Sequence, residues 1–465
     1  MTTAIGTTDS APVRVGREGG SLRDLRRANR REAFNVLRIR GALTQAELAR
    51  ATGLSHASVS NIVRELSEEG AVGVTMVRQN GRRAYKVTLN PDAGLVAGVD
   101  FGNRHMRVAI ADVAHNVLAE DDLTLLHGHS AVEGIPKCAG MVRQLIEQVG
   151  RPYSDLIGVS VGLPGPVEAS TGRLSSPTVL PGWADIDVSA ALRDTLHVPV
   201  VVDNDAKLGA LAEGLWGSGR GLTDFAYLKI STGIGAGLVL GGQLYRGAGG
   251  TAGEIGHTTI EENGPVCRCG NRGCLEVLAG APALLELLRR RHGDDLTIED
   301  VLRRSEAGDI GCRRVIADAG RHIGVAVANL CNLLSLQRII IGGELALAGD
   351  VLLVGITDSV ARRAISIAAQ HTEVTTSTLG GRAGVLGAVA RALQESDQYH
   401  AIPLEPAVAG RYRSADGDGE PRLTHAKTNQ QTSGAARTHN EEEAAMRVPR
   451  APSIEAGVPK VRRGS

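Results

Sequence analysis

The sequence predicts an α/β protein preceded by a small helical unit that ends in a strand pair. Three observations carry that expectation. From about Leu95 to Ser396, short Val/Ile/Ala runs broken by glycine alternate with helical stretches, the pattern of a sheet covered by helices. Residues 21–90 instead carry ordered helix caps and finish in two β-type runs. At 465 residues the chain is long enough for two or three domains, each with its own core. Composition sharpens the picture. Apolar residues make up 42% and charged residues 22%, ordinary for a globular chain, but aromatics are only 2%, so the cores must be built from Val, Leu, Ile and Ala. The 59 glycines point to tight turns and loops that approach a ligand closely.

The boundaries follow from composition. Residues 1–20 are small and polar without apolar periodicity and read as a flexible arm; residues 400–465, rich in Ala, Gly, Thr, Arg and Pro, read as a disordered tail. Between them lie the unit at 21–90 and a large domain at 95–396. No run of about 20 apolar residues and no leader-like segment is present, so a cytoplasmic chain without membrane contact is expected. Net charge is zero, yet residues 14–40 hold many arginines, and basic character returns at Arg78, Arg82, Arg83 and Lys86.

The N-terminal unit reads as a winged helix-turn-helix. Ala33, Phe34 and Leu37 give a first helix an apolar stripe that ends near Gly41. Thr44-Gln45-Ala46-Glu47 is a capping box, which starts a second helix that stops by Gly53. Ser55 then caps a third helix, in which Val59, Ile62, Val63 and Leu66 turn inward. His56, Ala57, Ser58, Ser60, Asn61 and Arg64 are left facing out, short polar groups of the kind a recognition helix presents to the major groove. Residues 72–77 and 84–89 can pair around Asn80-Gly81, with Arg82 and Arg83 at the wing tip able to reach phosphates or a minor groove. The competing reading is a three-helix module for protein contacts.

A second cluster is chemically sharper. His257, Cys267, Cys269 and Cys274 fall in one glycine-rich loop, and three thiolates with one imidazole form a closed tetrahedral set suited to structural zinc. Three cysteines grouped by chance in a loop, or a disulfide with a spare thiol, are the alternatives. Glu254 and Glu276 bracket the loop, so a metal would fix two carboxylates against a pocket. Cys138, Cys312 and Cys331 stand singly among apolar residues and read as packing residues.

Several of these motifs together resemble the ROK family (repressor, open reading frame, kinase). Gly253-Glu254-Ile255-Gly256-His257 precedes the cysteine cluster and Leu275-Glu276 follows it. Val202-Asp203-Asn204-Asp205-Ala206, Gly162-Leu163-Pro164-Gly165-Pro166 and Ser231-Thr232-Gly233-Ile234-Gly235-Ala236-Gly237 stand in the family's order. The resemblance covers roughly residues 25–395, and a winged helix-turn-helix ahead of such a domain is similar to its repressor branch. It implies a two-lobed, actin-like, sugar-kinase-like fold with a sugar cleft between the lobes. It implies that Asn204, Asp205, Glu254, His257 and Glu276 bind the sugar, with Asp205 the general base if the chain is a kinase. It also implies operator DNA, a sugar or sugar-phosphate effector and a homodimer or homotetramer. Physical chemistry agrees, because carboxylates and an amide suit vicinal hydroxyls and a metal-bound imidazole presents a fixed N–H. Without a ligand, Asp205 would be a helix N-terminal or turn aspartate after an apolar strand at 198–202.

Phosphoryl transfer would need ATP, Mg²⁺ and phosphate-cradling turns. Family kinases open this domain with an Asp-x-Gly-Gly-Thr type turn. This chain keeps Asp100 and Gly102, but Asn103 and Arg104 stand where the second glycine and the threonine belong, which should crowd a phosphate. Thr232, Gly233 and Gly235 retain an anion-binding pattern that a plain strand connection would also show. Ile341-Gly342-Gly343 resembles the adenosine-side turn. The reading that follows is a sugar-responsive regulator, more repressor than enzyme, with an ATP-dependent sugar kinase bearing a DNA-binding extension as the alternative. A regulator that binds no small molecule is a third.

Overall fold

Helix caps and strand alternation divide the N-terminal unit as the sequence predicts. The computed structural model describes residues 22–79, 82–168, 171–174, 180–183 and 186–395, so the arm at 1–20 and the tail at 400–465 lie outside the described residues. The unit contains α1 (Leu22–Arg40), β1 (Leu43–Thr44), α2 (Gln45–Thr52), α3 (His56–Glu68), β2 (Val72–Gln79) and β3 (Arg82–Leu89). Thr44 Oγ1 accepts from Glu47 N at 3.3 Å and Thr44 N donates to Glu47 Oε2 at 2.8 Å, which completes the capping box of α2. Gly53, at φ +69°, ends that helix in the left-handed region, and Ser55 Oγ accepts from Ser58 N at 3.1 Å to start α3. The strands form a sheet in the order β1-β3-β2. The hairpin is longer than expected, because Gln79 pairs with Arg82 and the ladder runs up to the loop; Asn80 and Gly81, where the tight turn is predicted, lie outside the described residues.

The large domain holds two sheets of matching topology. The first lobe contains β4 (Leu95–Phe101), β5 (His105–Asp112), β6 (Val117–Thr124), α4 (Ala131–Val149), β7 (Leu156–Leu163), α5 (Val188–Leu196) and β8 (Val200–Asn204). After α6 (Asp205–Trp216) come β9 (Phe225–Ile230), β10 (Ile234–Leu240) and β11 (Gln243–Tyr245). Next are α7 (Leu275–Ala279), α8 (Ala281–His292), α9 (Ile298–Glu306) and α10 (Ile310–Leu334), then β12 (Arg338–Gly342), α11 (Asp350–Arg363), α12 (Ser366–His371), β13 (Glu373–Thr376) and α13 (Ala383–Glu395). The sheet orders are β6-β5-β4-β7-β8 and β11-β10-β9-β12-β13. Each is an antiparallel meander of three strands extended by two parallel ones. Every residue of β4 is buried, as a central strand covered on both faces requires. Strand β6 lies at an edge and carries Glu120, Asp121 and Asp122, charges that discourage pairing with another chain. No helix of the described residues is long and apolar enough to cross a membrane.

Few aromatics means that packing depends on backbone proximity. Helices α6 and α13 are buried around most of their circumference and cross closely. A Cβ on Gly387 would lie 1.8 Å from Leu208 O, so no side chain fits at that crossing. Gly387→Ala is therefore expected to cost about 2 kcal/mol or more, read as a lower urea midpoint, because the clash is with backbone.

Candidate functional site

The site is assembled where β8 turns into α6. Strand β8 begins at Val200 and runs to Asn204, later than the expected strand at 198–202, which puts the Asn204-Asp205 pair at the corner itself. Asn204 Oδ1 accepts from Lys207 N at 3.1 Å and caps the helix, while its Nδ2 donates to Gly165 O at 2.9 Å. Asp205 Oδ1 accepts from Ala206 N at 2.7 Å, and its Oδ2 accepts from Lys229 Nζ at 2.7 Å. Lys229 comes from β9, in the other lobe. Burial pulls the Lys229 ammonium toward neutrality, but Asp205 and Asp100 outweigh it and hold its pKa above the ordinary lysine value.

Glu254 precedes a short 3₁₀ turn at Ile255–His257, and Glu276 lies at the start of α7. Glu276 Oε2 accepts from Ile234 N at 3.1 Å and from Arg268 Nη2 at 2.8 Å. A Cβ on Gly233 would lie 2.8 Å from that oxygen, so this glycine in the β9–β10 turn makes room for a carboxylate. Burial raises the Glu254 carboxyl; Lys207 opposes that, while Asp205 and Glu276 add to it. Asn204, Asp205, Glu254, His257 and Glu276 all line one cavity of about 270 Å³, near the lower end of small-molecule sites, roughly 300–1,000 Å³. Thr232, Gly233, Gly235 and the Gly102–His105 turn line it too.

The cysteine loop closes as its spacing predicts. Cys267 Sγ lies 3.6 Å from His257 Nδ1, and Cys269 Sγ lies 3.6 Å from Cys274 Sγ. Thiolates about 2.3 Å from a tetrahedral ion stand about 3.8 Å apart, whereas a disulfide needs about 2.05 Å. All six cysteines are free, which removes the disulfide alternative, and the donors of His257, Cys267, Cys269 and Cys274 all lie within 4.8 Å of one another. The set can hold a metal ion. With Nδ1 turned to the sulfurs, Nε2 is the ring nitrogen left for the cavity that His257 lines.

The first phosphate turn differs from expectation in one respect. Arg104 is exposed at the rim, and the group against Gly102 is His105: a Cβ on Gly102 would lie 2.2 Å from its Cε1. The imidazole of His105 also sits 3.4 Å from Asp100 Oδ2, and His129 Nε2 donates to Gly102 O at 2.9 Å. The chain itself therefore fills the space over the turn. Asp100 is buried behind the cavity wall. At the third turn, a Cβ on Gly342 would lie 2.3 Å from Tyr227 Cε2, so packing alone requires that glycine.

On α3 the expected outward face is present: His56, Ser60, Asn61 and Arg64 are exposed, and Ser58 turns partly toward Ser55, with 2.9 Å between their hydroxyls. Arg83 is exposed at the wing, and the side chain of Arg82 lies outside the described residues. Lys229, Arg268 and His105 line the cavity without having been singled out in the sequence. Lys229 had a legible signal, a lone charge in the apolar run of β9.

A winged helix joined to a two-lobed, sugar-kinase-like domain defines the class. Residues 32–83 match the MarR family and residues 96–395 match the ROK family. The chain belongs to the ROK family. It is 30% identical over 347 residues to the xylose repressor of Bacillus subtilis strain 168, covering 74% of this chain and 89% of that protein. It is 32% identical over 306 residues to the glucokinase of Halalkalibacterium halodurans, covering 62% of this chain and 92% of that protein. Its fold is shared with a crystal structure of a ROK family transcriptional regulator, a homologue of the E. coli MLC protein. That match has a TM-score of 0.68 at 24% identity and covers 78% of this chain and 95% of that one.

Asp100 makes a testable acid-stability contribution. Burial alone would raise its carboxyl, but Lys229, the His105 hydrogen bond and Arg107 together hold it down, at about 2 against an ordinary 3.8. A depressed acid stabilises the fold above its unfolded value, and that contribution vanishes as pH falls through the folded one. Asp100→Asn is expected to flatten the stability curve between about pH 4 and 2, the range over which the carboxylate's contribution of about 2 kcal/mol is otherwise lost, checked by urea melts at stepped pH.

Proposed function

We propose that this chain is a sugar-responsive transcriptional repressor that reads operator DNA through α3 and the β2–β3 wing and binds its effector in the cleft around Asp205. One observation carries the reading: an exposed polar recognition face on α3 is joined to a cavity that gathers Asn204, Asp205, Glu254, His257 and Glu276. Short polar groups near a helix N-terminus suit base edges, while carboxylates and an amide suit the hydroxyls of an uncharged sugar. The names of the relatives support both halves, since a xylose repressor spans both domains and a glucokinase matches the large one.

Zinc is the metal we assign to His257, Cys267, Cys269 and Cys274, in a structural role, because three thiolates and an imidazole leave no open position for water. When bound, zinc supplies a rigid tether for the loop. Arg268 lies between two of the sulfur donors, so fixing the loop also fixes its ion pair with Glu276. His257 Nε2 then donates to a sugar hydroxyl, and the buried carboxylates accept from others. Sugar binding favours one arrangement of the lobes, and in a homodimer or homotetramer that arrangement sets the spacing of paired α3 helices.

The competing reading, an ATP-dependent sugar kinase, draws on Asp205 in the cavity and the glucokinase match. Against it stands His105 over the phosphate turn. A coupled ADP-release assay with pentoses and hexoses separates the two, and no turnover is expected.

Gel-shift titrations test the repressor reading directly. Operator affinity should fall steeply with salt and change about 5–150-fold with the cognate sugar. Asn61→Ala should cost about 1–3 kcal/mol of operator binding. Unchanged operator affinity across a panel of sugars, despite calorimetric binding, would remove the coupling. For the metal, Cys269→Ser is expected to lower the zinc content seen by elemental analysis and to weaken sugar binding in parallel.

A further inference from the structure

Lys229 is the one charged residue of β9, and the rest of that strand is buried. Placing an ammonium there carries a desolvation cost, which a strand residue with no task would not keep. Its Nζ lies 2.7 Å from Asp205 Oδ2. The other oxygen of Asp205 is taken up by Ala206 N at 2.7 Å and Asn204 Nδ2 at 3.3 Å. Asp100, from the opposite lobe, is the second carboxylate whose field acts on the same ammonium. Asp100 Oδ1 is buried and accepts no hydrogen bond. Two acids carried by the first sheet, one paired with the ammonium and one acting through its field, thus act on a single lysine supplied by the second sheet.

We infer that Lys229 is a tethered cation standing in for a divalent ion: it compensates Asp205 and Asp100 and keeps Mg²⁺ out of the cleft. The inference rests on the sugar-binding reading only for the identity of the cleft's ligand. A divalent ion beside an ammonium meets like-charge repulsion, and the acids that would hold it are already balanced. Asp205 accepts a hydrogen bond from a sugar hydroxyl while its Oδ2 stays paired with Lys229. Lys229 therefore converts a phosphoryl-transfer geometry into a binding geometry, independently of His105.

Mn²⁺ binding to the full chain, read by the electron paramagnetic resonance of free Mn²⁺ with and without a non-hydrolysable ATP analogue, tests this. The wild-type chain should show no Asp100-dependent Mn²⁺ site. Lys229→Ser should gain one, roughly tenfold or more tighter than any wild-type binding, and Lys229→Ser combined with Asp100→Asn should lose it again. A folded Lys229→Ser chain, melting cooperatively, that takes up no Mn²⁺ overturns the inference. So does a wild-type Mn²⁺ site that disappears in Asp100→Asn, a result that stands even if the lysine variant does not fold. Sugar calorimetry and operator binding on the same preparations report separately on the repressor reading. Their failure with the lysine-dependent Mn²⁺ pattern intact removes that reading and leaves the role of Lys229 standing.

Discussion

Compensation of buried acids is the constraint on which the cleft depends. Asp100, Asp203, Asp205 and Glu276 are each exposed by less than a tenth, so none can rely on water for its charge. Each has a cationic or hydrogen-bonding partner instead. Arg246 Nη1 lies 2.6 Å from Asp203, Lys229 Nζ 2.7 Å from Asp205, Arg268 Nη2 2.8 Å from Glu276, and His105 stands beside Asp100. Breaking such a buried pair by removing one partner typically costs about 3–5 kcal/mol, which is why acids held this way keep their positions before a ligand arrives. Preorganisation of the acceptors is then a consequence of burial and needs no separate device.

Those partners come from distant parts of the chain. Asp205 belongs to the corner between the first sheet and α6, Lys229 to the second sheet, Arg246 to the segment after β11, and Arg268 to the cysteine loop. The cleft therefore exists only when both sheets and the loop are in place. The loop's four donors confer rigidity at the point where Arg268 meets Glu276, and Gly233 gives the carboxylate its space. A small aromatic content is consistent with this design, because α6 and α13 obtain density from glycine contacts at backbone distance instead of from large rings.

Much of this was legible in sequence because it is local. Thr44 with Glu47, Ser55 with Ser58, and Gly53 after α2 are interactions within one turn, and they mark the helix-turn-helix reliably. The cysteine spacing sets donors on one short loop, so proximity is guaranteed by the covalent chain. The residues not anticipated act across long separations. Lys229 meets Asp205 from another sheet, and a single lysine in a strand does not reveal its partner. His105 illustrates a subtler failure: substitution at Asn103 and Arg104 suggested crowding by the changed residues, whereas the backbone turned Arg104 to solvent and brought the next side chain over Gly102. Periodicity places a residue on a face, but only the folded turn decides which ring covers a glycine.

The joint between the two domains bears on how a cleft can govern a reader of DNA. Asn90 N donates to Ala71 O at 3.0 Å and its Nδ2 to Gly70 O at 2.8 Å, so the chain leaving β3 is bonded back to the end of α3. The 3₁₀ turn at Pro91–Ala93 follows, with Asp92 held by Arg151 Nη1 at 2.7 Å, and β4 begins at Leu95. Val72 and Leu66 share an apolar cluster with Val96, Ala109 and Val385. A connector bonded on both sides transmits rotation, where a loose one would absorb it. The same strand β4 ends at the Asp100 region, and Gly384 of α13 lies against the Asp100 carboxylate, since a Cβ there would fall 2.6 Å from it. Strand β4 and helix α13 thus run from the Asp100 region to the apolar cluster that seats the winged helix, the packed route along which a rearrangement of the cleft would reach α3.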